Sequence, residues 1–188
     1  PCLPPDAVPS LVTAEGLFPR KKMALGNVDP GEVRREWQAQ LACFLESGLT
    51  PSHLDSHHHI HKRPEVFAAF VELAREWGLP ARALSDDMRR ALDAAGVAHA
   101  DVCVTRFYGE TLSVPHFLSL VDAAFAALGG EGTVEIMCHP GLCDATLSAI
   151  STYDFGREEE LRVFTALQLP DLLVRHGVTV IDAASLAP

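Results

Sequence analysis

Positive charge is scarce in this sequence of 188 residues, which has 15 lysines and arginines against 25 acidic residues and a net charge of −10. Binding to a nucleic-acid backbone depends on clustered basic side chains. The one basic cluster, Arg20-Lys21-Lys22, is short and is typical of a solvated loop. The composition therefore predicts no nucleic-acid partner.

The sequence also lacks membrane segments and paired cysteine motifs. No apolar run reaches the length of a membrane span, and no charged-then-apolar signal segment opens the chain. Its five cysteines are irregularly spaced and include no C-x-x-C pair, which favours reduced thiols over a disulfide framework. We therefore expect a soluble, cytoplasmic protein with no membrane partner.

Three common catalytic and nucleotide-binding motifs are missing. The sequence contains no G-x-S-x-G, no G-x-x-x-x-G-K-[ST] and no G-x-G-x-x-G. These patterns mark a serine nucleophile elbow, a P-loop and a dinucleotide-binding turn. Their absence disfavours all three classes of site and directs attention to the histidines.

Helical and strand patterns alternate after an irregular, proline-rich opening that runs to about residue 26. Capping residues and apolar periodicity predict helices near 29–48, 64–78, 86–95, 113–130 and 157–176. Short apolar runs predict strands near 81–84, 101–107, 133–141 and 178–183. This alternation indicates an α/β fold with a parallel sheet, open or closed into a barrel, in a single domain over residues 1–188.

The stretch "SHLDSHHHIH" at 52–61 concentrates five of the nine histidines. If it forms a strand, its period of two places five side chains on one face: His53, Asp55, His57, His59 and His61. Imidazoles are common ligands of zinc and similar ions, and an adjacent carboxylate can orient a ring or bind directly. The pattern favours a metal-binding or catalytic role over a purely structural one.

A second signal is "VEIMCHPG", where an apolar strand runs into His139. Functional side chains gather at the carboxyl ends of parallel strands, so His139 is a candidate catalytic residue. Cys138 and Cys143 flank it with a spacing that is a weak zinc signal, and we interpret both as structural thiols. "RFYGE" at 106–110 ends the preceding strand with a composition suited to gripping a polar ring.

Together, these motifs resemble those of the YdjC-like carbohydrate deacetylases, which include the chitooligosaccharide deacetylases. The similar segments are "HLDSHHHIH" followed by Pro64 and an apolar helix, "FYGE", "EIMCHPG", and Tyr153 with "REEEL" at 157–161. The resemblance implies a distorted (β/α) barrel of the TIM type. It also implies metal-dependent removal of N-acetyl groups from amino sugars or chitooligosaccharides, with an N-acetylated sugar as the small-molecule partner.

The resemblance assigns roles to two residues, and four others are expected to contribute to the site. His57 matches a ligand of the divalent ion, Mg or Zn, and His139 matches an active-site position suited to a general acid. Asp55, His59 and His61 are expected to support the site. Tyr108 is expected to contact the substrate.

Two family segments are missing from these 188 residues: a first strand carrying "DDFG" and a later "G-[LM]-H" strand. Asp86-Asp87 reads as an ordinary helix start and takes over neither role. We therefore expect an N-terminally incomplete barrel whose open edge favours homo-oligomers, and which is inactive without the upstream segment. The alternatives are a metal-dependent hydrolase of another acyl amide and a catalytically silent family member.

Overall fold

The computed structural model describes residues 1–20, 25–109 and 111–186. They form two compact units, one made of Pro1–His99 with Asp182–Pro188 and the other of Ala100–Ile181. Lys21, Lys22 and Glu110, which the sequence analysis singled out, lie outside the described residues. The prediction of one domain over the whole chain stays a prediction, and each unit is described by itself.

The first unit is helical. Its α-helices are α1 (Pro30–Glu46), α2 (Pro64–Trp77) and α3 (Asp86–Ala95). A 3-10 segment at His57–Lys62 lies between α1 and α2, and two further 3-10 turns lie at Pro5–Ala7 and Ala183–Leu186.

Capping residues set the bounds of these helices. The Asp29 carboxylate accepts a hydrogen bond from the backbone N–H of Glu32 at 3.0 Å, ahead of Pro30 in the first turn of α1. Helix α2 ends at Gly78, whose φ of 62° lies in the left-handed region that a side chain disfavours. The sequence predictions for these helices are confirmed to within two residues.

Helix α2 organises the core of the first unit. It packs against α1, against α3 and against the His57–Lys62 turn. Its buried face consists of Val66, Ala69, Phe70, Leu73 and Ala74. The histidine-rich turn therefore rests on a rigid helical support.

The second unit contains the described sheet. Strands β1 (Val102–Val104) and β2 (Val134–Ile136) pair in parallel, with Cys103 opposite Glu135. The helices of this unit are α4 (Val114–Ala127), α5 (Ala145–Ile150), α6 (Phe155–Phe164) and α7 (Leu169–Arg175). Helix α4 connects the two strands and packs against both, as expected of a crossover helix. The α/β class is confirmed.

Three element predictions are corrected. The helix expected over 157–176 is two helices, because Pro170 in the first turn of α7 cannot continue a helix from Ala166 without a clash. Residue Ala81 makes an isolated parallel bridge to Leu54, not a strand over 81–84. Residues 178–183 form no strand, since no described segment offers them a ladder partner.

No helix within the described ranges is long and apolar enough to cross a membrane. The five cysteines, all of them inside those ranges, form no disulfide with one another.

Candidate functional sites

The histidine-rich segment is not a strand, so the prediction that its histidines share one strand face is wrong. After the bridge at Leu54, the chain turns into a 3-10 segment at His57–Lys62. His58 and His59 have φ values of 53°, in the left-handed region that non-glycine residues seldom adopt. The tight turn therefore sends successive imidazoles in different directions.

His61 points into the core of the first unit. Its ring is fully buried and stacks on Phe70 with the ring centroids 4.5 Å apart. The Ser56 hydroxyl lies against its Nδ1, and the same oxygen accepts from the His61 backbone N–H at 3.1 Å. Nε2 is buried and has no hydrogen-bond partner among the described residues. His61 anchors the turn to α2, and its predicted support of a metal remains a prediction.

Asp55 lies at the start of the turn between two basic groups. The Arg82 guanidinium donates to its Oδ2 and forms an ion pair with it. Its Oδ1 lies 4.0 Å from His59 Nδ1. One oxygen of the Asp55 carboxylate thus pairs with Arg82, and the other faces His59 in the turn.

His57 and His58 lie on the exposed side of the turn. Their rings meet edge to face with centroids 4.2 Å apart, and both line a cavity of about 560 Å³. The wall continues over Trp37 and Leu41 of α1. This cavity has the size and the mix of apolar wall and few polar groups that small-molecule sites show.

The donor set of the turn does not make a complete metal site. Catalytic zinc sites usually take three protein ligands. No group of three His, Cys, Asp or Glu side chains that could hold an ion is found within residues 1–20, 25–109 and 111–186. His57 can offer one nitrogen, but a full coordination shell requires donors beyond those that the described residues bring together.

A second cluster forms in the other unit, where β1 and β2 end at the same edge. Tyr108 follows β1 and His139 follows β2, and their ring centroids lie 5.7 Å apart. The roles expected of them, catalysis for His139 and substrate contact for Tyr108, stay predictions. The His139 side chain is 32% exposed and so remains accessible to a ligand.

Glu160 of α6 lies beneath His139 and has no exposed surface. Its Oε2 accepts from the His139 backbone N–H, and its Oε1 lies 3.9 Å from the imidazole Nδ1. Oε1 also accepts from the Tyr153 hydroxyl at 2.6 Å. Each oxygen of this buried carboxylate therefore accepts one hydrogen bond.

Tyr153 completes the cluster. Its ring stacks on Tyr108 with centroids 4.1 Å apart and meets His139 edge to face at 5.7 Å. Burial, and then the hydrogen bond to the Glu160 carboxylate, raise the pKa of Tyr153 above its ordinary value. The hydroxyl therefore stays protonated and continues to donate to Glu160.

Arg157 ties the two loops of this cluster together. Its Nε donates to the Tyr153 carbonyl at 2.8 Å, and its Nη1 donates to the His139 carbonyl at 3.5 Å. The guanidinium carbon lies 5.7 Å from the centroid of the Tyr153 ring, within cation–π range.

Sequence reasoning gave Tyr153 and Glu160 no role, although both lie in the stretch that carried the family resemblance. The sequence signal that could have linked them is their spacing of seven residues, about two helical turns, which spans the start of α6. In the structure, both residues contact His139, and they also contact each other.

Comparison with known proteins identifies the family. A family model described as YdjC-like protein matches residues 1–175. The chain belongs to the YdjC-like family. The predicted family resemblance is thereby confirmed.

Relatives of this YdjC-like chain carry related names. A carbohydrate deacetylase of Geobacillus stearothermophilus is 40% identical over 93% of the chain and 67% of the relative. A chitooligosaccharide deacetylase of Yersinia pestis is 33% identical over 93% of the chain and 70% of the relative. A solved structure from Enterococcus faecalis V583, whose name assigns it provisionally to cellobiose-phosphate cleavage, has 33% identity and a TM-score of 0.89. It matches all of this chain and 73% of its own.

His61 makes the stability of the YdjC-like chain depend on pH. Burial lowers the pKa of His61 to about 4, against 6.5 for the unperturbed group. At pH values well above 6.5 the ring is neutral in both the folded and the unfolded state. Between pH 6.5 and about pH 4 the ring is protonated in the unfolded chain but stays neutral in the folded chain. We expect this group to reduce the free energy of unfolding by about 2 kcal/mol between pH 7 and pH 5.

Urea denaturation at both pH values measures this loss. His61→Gln should remove the component, whereas the exposed His53→Gln should keep it. An equal pH dependence in the two variants would show that His61 does not carry it.

Gly156 permits the position of Tyr153. A Cβ built at Gly156 would overlap the Tyr153 ring, whereas one at Gly141 would meet nothing within 4 Å. We therefore expect Gly156→Ala to push the ring off Tyr108, which near-ultraviolet circular dichroism reports as a loss of tyrosine signal. Gly141→Ala is the matched control, and an unchanged spectrum in both variants would contradict the packing described.

Proposed function

We propose that this protein is a carbohydrate deacetylase that hydrolyses the N-acetyl group of an amino sugar or chitooligosaccharide. Family membership and relatives named for this activity support the substrate class. The observation that carries the proposal is the cluster at the strand ends, where His139 stands beside the buried Glu160 and faces Tyr108.

The proposed reaction breaks the amide C–N bond. Water adds to the acetyl carbonyl, the C–N bond breaks, acetate leaves, and the departing nitrogen takes up a proton to leave as an amine. His139 suits the role of proton donor to that nitrogen, because an imidazole can both accept and release a proton and its ring is accessible. Tyr108, half exposed beside it, suits contact with the face of a sugar ring.

A divalent ion, Mg or Zn, is part of the proposal as a cofactor with His57 as one ligand. Bound to a hydrolase, such an ion polarises a carbonyl and activates water. The support is the exposed position of His57 at a cavity and its place within residues 1–175, the stretch that the family model matches. The described residues do not complete the coordination shell, so every step above is assigned to the chain's own side chains.

The barrel is also a proposal. The parallel β1–β2 pair with the α4 crossover is the repeating unit of a (β/α) barrel. The likeness to the Enterococcus faecalis structure, at a TM-score of 0.89, supports a fold shared across the family.

A substrate panel tests the proposed function. The protein is expressed from its complete reading frame and supplied with Mg²⁺ or Zn²⁺, or with a chelator, and acetate release is followed by proton NMR. We expect release from N,N′-diacetylchitobiose and none from N-acetylated amino acids. Release from the amino acids alone would favour the alternative, hydrolysis of another acyl amide, and release from neither would contradict the proposal.

A further inference from the structure

Among the described residues of the second unit, Glu160 is the most deeply buried acid, and the proposed chemistry does not use it directly. It lies on α6 with no exposed surface, and neither of its oxygens faces solvent. Burying a carboxylate is costly unless hydrogen bonds compensate for lost water. A carboxylate buried at this cost is a candidate for a functional role in addition to packing.

The partners of Glu160 are the residues that shape the candidate site. One oxygen holds the backbone of His139, and the other holds the Tyr153 hydroxyl at 2.6 Å. That second oxygen also lies 3.9 Å from His139 Nδ1. A negative charge there favours a proton on Nδ1, which leaves Nε2 as the nitrogen turned away from Glu160.

Four titratable or charged groups make the contacts described for the His139 residue. Tyr108 and Tyr153 face the ring, Arg157 donates to the backbone carbonyl, and Glu160 approaches Nδ1. Of these, Glu160 is the one acid. It is therefore the group in this set that can stabilise a protonated imidazole.

We propose that Glu160 is a positioning residue that holds His139 and Tyr153 through one buried carboxylate and so orients the His139 imidazole toward an amide substrate. This inference rests on the proposed deacetylase function. Glu160 acts through His139 and touches no substrate.

The main variant is Glu160→Gln, which keeps the shape of the side chain and removes its charge. Glu159→Gln is the matched control, because Glu159 is the neighbouring acid on the same helix, half exposed and paired with Arg162. We expect E160Q to lower kcat roughly 10-fold to 100-fold with KM changed far less, and E159Q to match the parent protein.

A second readout does not depend on activity. Long-range proton–nitrogen NMR correlations of the His139 ring, assigned by their loss in His139→Ala, report its tautomer and its titration midpoint. We expect an Nδ1-protonated ring in the parent protein. E160Q should lower the midpoint by roughly one pH unit, because it removes a charge that stabilises the imidazolium.

Tyr153→Phe carries the same test if E160Q does not fold. It leaves the Glu160 charge and the ring stack in place and removes the donor to Oε1. We expect the His139 midpoint to shift the opposite way, upward, because Glu160 is then less neutralised.

The outcomes separate the two proposals. A parent protein that releases no acetate refutes the proposed function, while the NMR readouts still judge Glu160. If the parent is active and E160Q matches E159Q in kcat, tautomer and midpoint, Glu160 has no positioning role. If E160Q does not fold and Y153F leaves the midpoint unmoved, the inference is likewise overturned.

Discussion

Replacing His139 with alanine should lower kcat on an N-acetylated chitooligosaccharide by roughly 10²-fold or more, the scale of a lost general acid or base. The departing amine would then have to take its proton from water. Because His139 follows β2 and lies apart in the sequence from the histidine-rich turn, we expect the variant to keep the metal content of the parent protein. Steady-state kinetics and elemental analysis of the same preparations measure both quantities.

His176→Ala is the matched control for this substitution. His176 is in the same unit, its side chain is also 32% exposed, and it too faces a carboxylate, that of Asp122 at 2.7 Å. It should retain parental turnover. Near-normal turnover in His139→Ala would rule out a chemical role for that residue.

The second large effect concerns the metal. We expect His57→Ala to lose most of the bound divalent ion from protein expressed from the complete reading frame, because the variant removes a proposed ligand. His58→Ala alters the adjoining ring, which meets His57 edge to face, and should keep the ion. Inductively coupled plasma mass spectrometry of dialysed protein gives the metal-to-protein ratio of each variant.

The backbone geometry of the turn separates an effect of lost metal ligation from an effect of backbone strain. His58 carries the left-handed backbone and His57 does not, so strain alone would harm His58→Ala at least as much as His57→Ala. Equal metal content in the two variants would refute the assignment of His57.

The helices were predictable because their signals are local. Asp29 and Pro30 start α1, Ser85 starts α3, and Gly78 ends α2, each through a contact within a few residues along the chain. Strands depend on distant partners, which local patterns do not reveal. Residues 178–183 have a strand-like composition, yet Val180 and Ile181 stay exposed because no described segment pairs with them.

The histidine-rich segment misled for a related reason. Its alternation has the period of a strand, but in the structure His61 stacks on Phe70 and its Nδ1 lies against the Ser56 hydroxyl, which are tertiary contacts that the pattern does not encode. Tertiary packing therefore overrode the pattern.

The strand-end cluster was half predictable. Parallel strands bring their carboxyl ends to one edge, so Tyr108 and His139 could be expected to meet. Glu160 could not be placed, because its role depends on how α6 brings it against His139, and a run of three glutamates reads as a solvated helix face.

The most direct test of the central claim is to identify which bond of N,N′-diacetylchitobiose the protein breaks. Mass spectrometry of the sugar, with acetate quantified in the same sample, distinguishes loss of acetyl from cleavage between the rings. We predict an intact disaccharide that has lost acetyl, with one acetate per amine formed, and almost no product from His139→Ala. Acetylated monosaccharides without acetate would contradict the account, because they would show cleavage of the glycosidic bond instead of the amide.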